Sequence, residues 1–302
     1  MATSYKPDWE ATFGAWSQPL GQVEVDKSEN AIRAVKKALE ASAALANRRT
    51  SVFVQGSYRN RTGVRQESDV DVCIQCHDMF YHNDIPLPDT EARLGFVSST
   101  YSFSQFRNDV HRALNAYFGE GNVKPGNKAF EVHENTYRVN ADVVACIDYR
   151  HYYRDQYSSL TFAPGTALYS RDGVRVTNFP EQQYDNGVWK NQQVHERFKP
   201  VVRIFKKLSC DMVENGVQAA EPMKSFLLES LIWNVPDEAF YGTSLRARVD
   251  AALSALWTLL DERTDGQWWE ENNIKPLFAA GQKWTSAQVR DFIKAAWDLT
   301  RG

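Results

Sequence analysis

Hydrophobic positions along the chain follow two regimes. From Val23 to Asn47, Ile32, Val35, Leu39 and Leu45 recur near one face, with Lys and Glu elsewhere, which predicts a long amphipathic helix. SVFVQ (51–55) is rich in β-branched and aromatic residues and predicts a strand, ended by Gly56-Ser57. A polar loop follows over 59–68. Strict alternation then appears in DVDVCIQ (69–75), with Asp69, Asp71, Cys73 and Gln75 on one face and Val70, Val72 and Ile74 on the other. Residues 79–88 read as a loop. Phe106, Val110, Leu114 and Phe118 recur every four residues and predict a helix over 104–118, with Ser104 as its cap. Strands are expected at 129–133 and 137–149. The second, YRVNADVVACIDY, is nearly continuous, as a buried strand should be. Short strands are expected near Leu168 and over 173–177. Beyond Pro180 the period becomes helical, over 180–191, 193–214, 224–234, 245–262 and 286–300.

This order predicts an α+β fold: a mixed-sheet lobe over 1–178, including the long first helix, packed on a helical lobe over 179–302. No Pro/Gly/Ser-rich spacer separates them, so the lobes are expected to meet across a cleft, where ligand sites tend to form. A length of 302 residues suits one large domain or two such lobes. The formal net charge of -3 argues against a protein that coats long nucleic acid. Small nucleotides need only a few basic groups. No stretch approaches the roughly 18 apolar residues of a membrane span. The N-terminal MATSYKPDWEATFGAW lacks the charged start and apolar run of a signal peptide. A soluble, cytoplasmic monomer is expected. Cys73, Cys76, Cys146 and Cys210 read as reduced thiols; Cys73, Cys76 and His77 have no second pair to complete a zinc site.

The chemistry is carried by a spaced constellation. Asp69 and Asp71, two apart on a strand, point the same way, and like charges side by side repel unless a cation lies between them. Mg²⁺ takes oxygen ligands and shares them with substrate phosphates. Asp142 is the natural third acid: an ionised carboxylate among Val139, Val143 and Val144 is costly unless it meets a cation. Asp148, nearer the strand end, is expected to be solvated. Gly56 lets backbone and phosphate approach closely, and Ser57 offers a hydroxyl and an N–H to an anion. Gly-Ser and Asp-x-Asp are each common. Their succession, with an Asp on a later strand, is specific.

The run FVQGSYRNRTGVRQESDVDVCI resembles the signature of the DNA polymerase β-type nucleotidyltransferase superfamily. More narrowly, QGSYRN…SDVDV, NFPEQQYDNGVWKNQQVHERFKPVVRIFKKL and MKSFLLESLIWNVP resemble bacterial CD-NTases of the E clade, relatives of cyclic GMP-AMP synthase and oligoadenylate synthase. The resemblance implies that Asp69, Asp71 and Asp142 hold two Mg²⁺ or Mn²⁺ ions. It implies that Gln55, Gly56 and Ser57 meet donor phosphates, with Lys206 and Ser225 reaching the triphosphate. A solvated helix face is the alternative for Lys206. Asn178 corresponds to a position associated with pyrimidine choice, and an amide matches the uracil edge; an ordinary turn or helix cap is its alternative. The implied product is a uridine-containing cyclic dinucleotide made from UTP and ATP, such as cyclic UMP-AMP or cyclic di-UMP, in anti-phage signalling. A linear product or a non-catalytic nucleotide-binding module are the alternatives.

Overall fold

The computed structural model describes residues 8–64 and 69–301. In chain order the elements are α1 (Trp9–Trp16), α2 (Gln22–Glu40), β1 (Thr50–Gln55), α3 (Gly56–Asn60), β2 (Val70–His82), α4 (Phe103–Phe118), β3 (Val123–Pro125), β4 (Phe130–Val132), β5 (Ala141–Arg154), β6 (Leu160–Tyr169), β7 (Arg175–Asn178), α5 (Pro180–Gln193), α6 (Phe198–Glu214), α7 (Ser225–Asn234), α8 (Leu245–Glu262) and α9 (Ser286–Arg301). The α+β class holds. No helix among the described residues is long and apolar enough to cross a membrane.

Two compact units are present. One comprises Gly21–Gly56 and Ser68–Pro180; the other comprises Met1–Leu20, Ser57–Glu67 and Glu181–Gly302. The chain divides at 180/181 rather than the expected 178/179, and two further segments, one through Leu20 and one from Ser57, join the C-terminal unit. The short N-terminal helix α1, not foreseen in the sequence, belongs with the C-terminal helices: Trp9 and Phe13 pack into their core beside Phe198, Phe205 and Trp268. The segment that starts at Ser57 also belongs there, whereas Gly56 ends the other unit.

In the first unit, the described strands form one seven-stranded sheet of order β1-β2-β5-β4-β3, with β6 pairing β5 and β7. β1 and β2 are antiparallel; β2 and β5 are parallel. Helices α2 and α4 pack against β2 and β5, where Val70, Val72, Ile74 and Val143 are fully buried.

Local chemistry adjusts several boundaries. The long helix stops at Glu40, not Asn47, because Ser42 and Leu45 turn back on local backbone bonds. Helix α4 is capped by Ser102, not Ser104: its hydroxyl accepts from the Gln105 N–H, and the Gln105 side chain accepts from the Ser102 N–H. β5 begins at Ala141 because Asn135 and Arg138 close a small turn over the residues just before it. β2 runs on to His82 through residues expected to be a loop, by way of an irregularity between Cys76 and Phe80.

Candidate active site

The sheet places one row of polar side chains across four strands. Gln55 pairs with Asp71, Asp71 with Asp142, and Asp142 with Glu131. Because side chains alternate along a strand, residues in register share a face. Asp69 lies two residues before Asp71 on that same face and is exposed. The three acids singled out in the sequence are thus gathered by the parallel β2–β5 pairing. Glu131, not foreseen, joins them from β4.

Gly56 is shaped for this arrangement. Its φ of +67° lies in the left-handed region, and the space a Cβ would fill is occupied by Asp71: the Cβ would lie 3.0 Å from the carboxyl carbon and closer still to Oδ2. Glycine therefore serves here by admitting a carboxylate to the backbone.

Asp142 sits among like charges. Burial, then the charges of Asp69 and Glu131, raise the Asp142 pKa. The carboxylates of Asp69, Asp71, Asp142 and Glu131 offer the oxygen ligands that hard divalent cations take. Among the described residues no three His, Cys, Asp or Glu side chains close on one point as a ready metal cage.

Further along the sheet, Cys73 and Cys146 place their Sγ atoms 2.9 Å apart; all four cysteines are free, and only Cys210 is not fully buried. Asp148 is not simply solvated. It accepts from Gln75 Nε2 at 2.7 Å and meets His77 Nδ1 at 2.7 Å, and His77 Nε2 meets Ser51 Oγ at 2.9 Å. Asn178 is neither a turn nor a helix cap. It ends β7 in register with Thr166, and Gly165 lacks a Cβ where the Asn178 carbonyl passes.

The helical unit carries the remaining candidates. The Ser57 carbonyl accepts from the N–H groups of Thr62 and Gly63, each at 3.0 Å, which curls the segment after α3 back on itself. Ser225 opens α7, as expected. Lys206 is not on a solvated face. It is 1% exposed and paired with Glu229 at 3.1 Å. Glu229 also accepts from Asn60 Nδ2 at 2.8 Å and Thr62 Oγ1 at 3.0 Å. Burial pushes the Glu229 pKa up, but the Lys206 charge and these hydrogen bonds outweigh it, so the net shift is downward and the carboxylate stays ionised. Glu271, equally buried, bonds to Glu229; burial and the Glu229 charge hold its pKa well above the usual carboxylate range. Glu271 therefore keeps its proton and donates it. Glu229 and Glu271 were missed in the sequence. Glu229 left a signal, a lone acid inside the apolar helix FLLESLIW; Glu271 left none.

Comparison with known proteins adds the family. Residues 185–301 match the cGAS/DncV-like nucleotidyltransferase C-terminal helical domain. The cyclic dipyrimidine nucleotide synthase CdnE of Legionella pneumophila is 40% identical over 291 residues, covering 96% of this chain and 97% of that one. The chain is a CD-NTase of the E clade. The solved structure of Rhodothermus marinus CdnE c-UMP-AMP synthase with Apcpp and Upnpp superposes on this CD-NTase with a TM-score of 0.83 at 32% identity, covering 98% of this chain and 97% of that one. A cyclic dipurine nucleotide synthase from Elizabethkingia meningoseptica is 31% identical over 288 residues, covering 94% of this chain and 95% of that one. This CD-NTase is accordingly a nucleotidyltransferase.

Two outcomes follow from the geometry. Gly56→Ala should lower stability by about 1–3 kcal/mol through its left-handed backbone and reduce turnover about 100-fold by displacing Asp71; denaturant titration and product yield read the two effects. A raised folded-state pKa at Glu271 means stability is full below the ordinary value of 4.5 and declines as pH rises through the folded value. Glu271→Gln, which keeps a donor toward Glu229 without a proton to lose, should flatten that decline. Its melting temperature should exceed that of the parent at pH 8 and match it at pH 5.

Proposed function

We propose that this CD-NTase joins two ribonucleoside triphosphates into a cyclic dinucleotide that contains uridine. The observation that carries the reading is the in-register Asp71–Asp142 pair with Asp69 on the same face. It stands in a chain 40% identical to a cyclic dipyrimidine nucleotide synthase. Asp69, Asp71 and Asp142 are the residues that would hold two divalent ions, Mg²⁺ or Mn²⁺. Ions bound there would lower the pKa of an attacking ribose hydroxyl and neutralise departing pyrophosphate. The protein's own part is positioning. Gly56 holds the Asp71 carboxylate against the backbone, the β2–β5 register holds Asp142 beside it, and Ser57 presents hydroxyl and backbone N–H to donor phosphates with Gln55 beside them in the chain. Ser225 is assigned to the same phosphates. Lys206, as placed here, neutralises Glu229.

Asn178 is proposed to choose the base. Its backbone is fixed by the β6–β7 ladder and by the close pass at Gly165. Its amide can both donate and accept, matching the O4 and N3–H edge of uracil. The product is proposed to act as an anti-phage signal read by a separate effector.

Incubating the purified protein with all four ribonucleoside triphosphates and Mg²⁺, then weighing the product, tests the reading. A phosphatase-resistant product carrying at least one uridine is expected; linear oligonucleotides alone would overturn it. Asp142→Asn should reduce product at least about 100-fold. The raised pKa of Asp142 means its ionisation opposes folding as pH climbs above 3.8, so the same variant should melt at a higher temperature than the parent at pH 7 without divalent ions. Asn178→Ser should move incorporation from uridine toward purine, read as the ratio of products from an equimolar mixture; an unchanged ratio would remove Asn178 from base reading.

A further inference from the structure

The segment Arg59–Thr62 is gripped by the helical unit at every residue. Arg59 makes a bidentate pair with Glu181, at 2.8 and 2.5 Å, at the start of α5. Asn60 and Thr62, 5% and 0% exposed, both donate to Glu229 on α7. The carbonyl of Arg61 accepts from Arg203 Nη1 at 2.6 Å, while Arg203 Nε donates to the Ser17 carbonyl at 2.6 Å. Arg203 lies on α6, and burial pulls its pKa down to about 10, so it remains a cation at neutral pH. Arg61 itself has a φ of +57°. A non-glycine residue resists that conformation, so neighbouring contacts must hold it.

The grip reaches Ser57 through one further bond. Thr62, whose hydroxyl is fixed by Glu229, donates its N–H to the Ser57 carbonyl at 3.0 Å. Glu229 takes two side chains of the segment at once. It does so as an ionised carboxylate facing the Lys206 ammonium, and charge-assisted bonds are the stiff ones. Removing the charge would leave Lys206 buried and unpaired, which is costly.

We propose that Glu229 is a positioning residue for nucleotide binding, fixing Ser57 through Thr62 and Asn60. This rests on the reading of Ser57 as a phosphate ligand. Glu229 lies among buried side chains and acts through the segment. Its loss should weaken capture of nucleotide and leave the chemical step of bound nucleotide less affected.

Steady-state kinetics with ATP and UTP test this. Glu229→Gln should raise KM about tenfold, the scale of one lost charge-assisted hydrogen bond, with a smaller change in kcat. Should that variant not fold, Asn60→Leu and Thr62→Val cut the same bonds from the other side, each keeping shape, and each should raise KM several-fold. Thr62→Ser, which keeps the hydroxyl, should restore the parent KM. A soluble, folded Thr62→Val or Asn60→Leu protein with lowered melting temperature and unchanged KM would overturn the proposal, since a purely structural bond behaves that way. Ser57→Ala separates the two readings. If it leaves KM unchanged, the phosphate role of Ser57 falls. If it raises KM while the Asn60, Thr62 and Glu229 variants do not, the positioning role alone falls.

Discussion

Everything proposed for the chemistry depends on the pairing of two parallel strands. β2 and β5 lie far apart in the chain, yet their register sets Asp71 directly beside Asp142. A slip of one residue would turn the acids on one strand to the opposite face. What prevents the slip is the apolar set on the other side. Val70, Val72, Ile74 and Val143 are wholly buried where α2 and α4 pack, and any shift would drive acids into that layer. The hydrophobic face specifies the register, and the register assembles a repulsive cluster that the strands alone would not form. Burial among like charges, which raises the Asp142 pKa, is a consequence of that arrangement.

The helical unit solves a different problem. It carries charged groups deep inside, and each is answered: Lys206 by Glu229, Glu229 by Asn60, Thr62 and protonated Glu271, Arg203 by two carbonyls. Buried polar clusters of this kind add little net stability compared with apolar packing, but they penalise every arrangement except one. Geometry is what the Ser57 segment needs, and geometry is what such a cluster supplies.

Much of this was legible in the sequence. The strict alternation of DVDVCIQ gave the strand and the shared face of Asp69 and Asp71, and the apolar run around Asp142 marked it as an acid in costly surroundings. The C-terminal helices were visible from their period, α8 to the residue. What escaped notice has physical reasons. Alternation in β2 breaks after Cys76 because three extra residues intervene before Phe80 resumes pairing at Asp148, so the strand's second half is out of phase with its first. Helix α1 is too short to show a period. Ser104 looked like a cap because hydroxyl residues cluster there, and the reciprocal Gln105 bond singles out Ser102 instead. The role of Lys206 is set by Glu229, 23 residues away on another helix, and pairing at such a distance has no local signature. Only the odd acid in an apolar helix hinted at it.

The bonds that shape the segment after Ser57 close loops of 142, 167 and 169 residues. Contacts of such long sequence separation are late to form, because the chain between their ends must first be ordered. Arg61 would not hold its left-handed backbone unaided. During synthesis, then, the stretch after Ser57 emerges early and cannot make its bonds to Glu229 until α7 follows it.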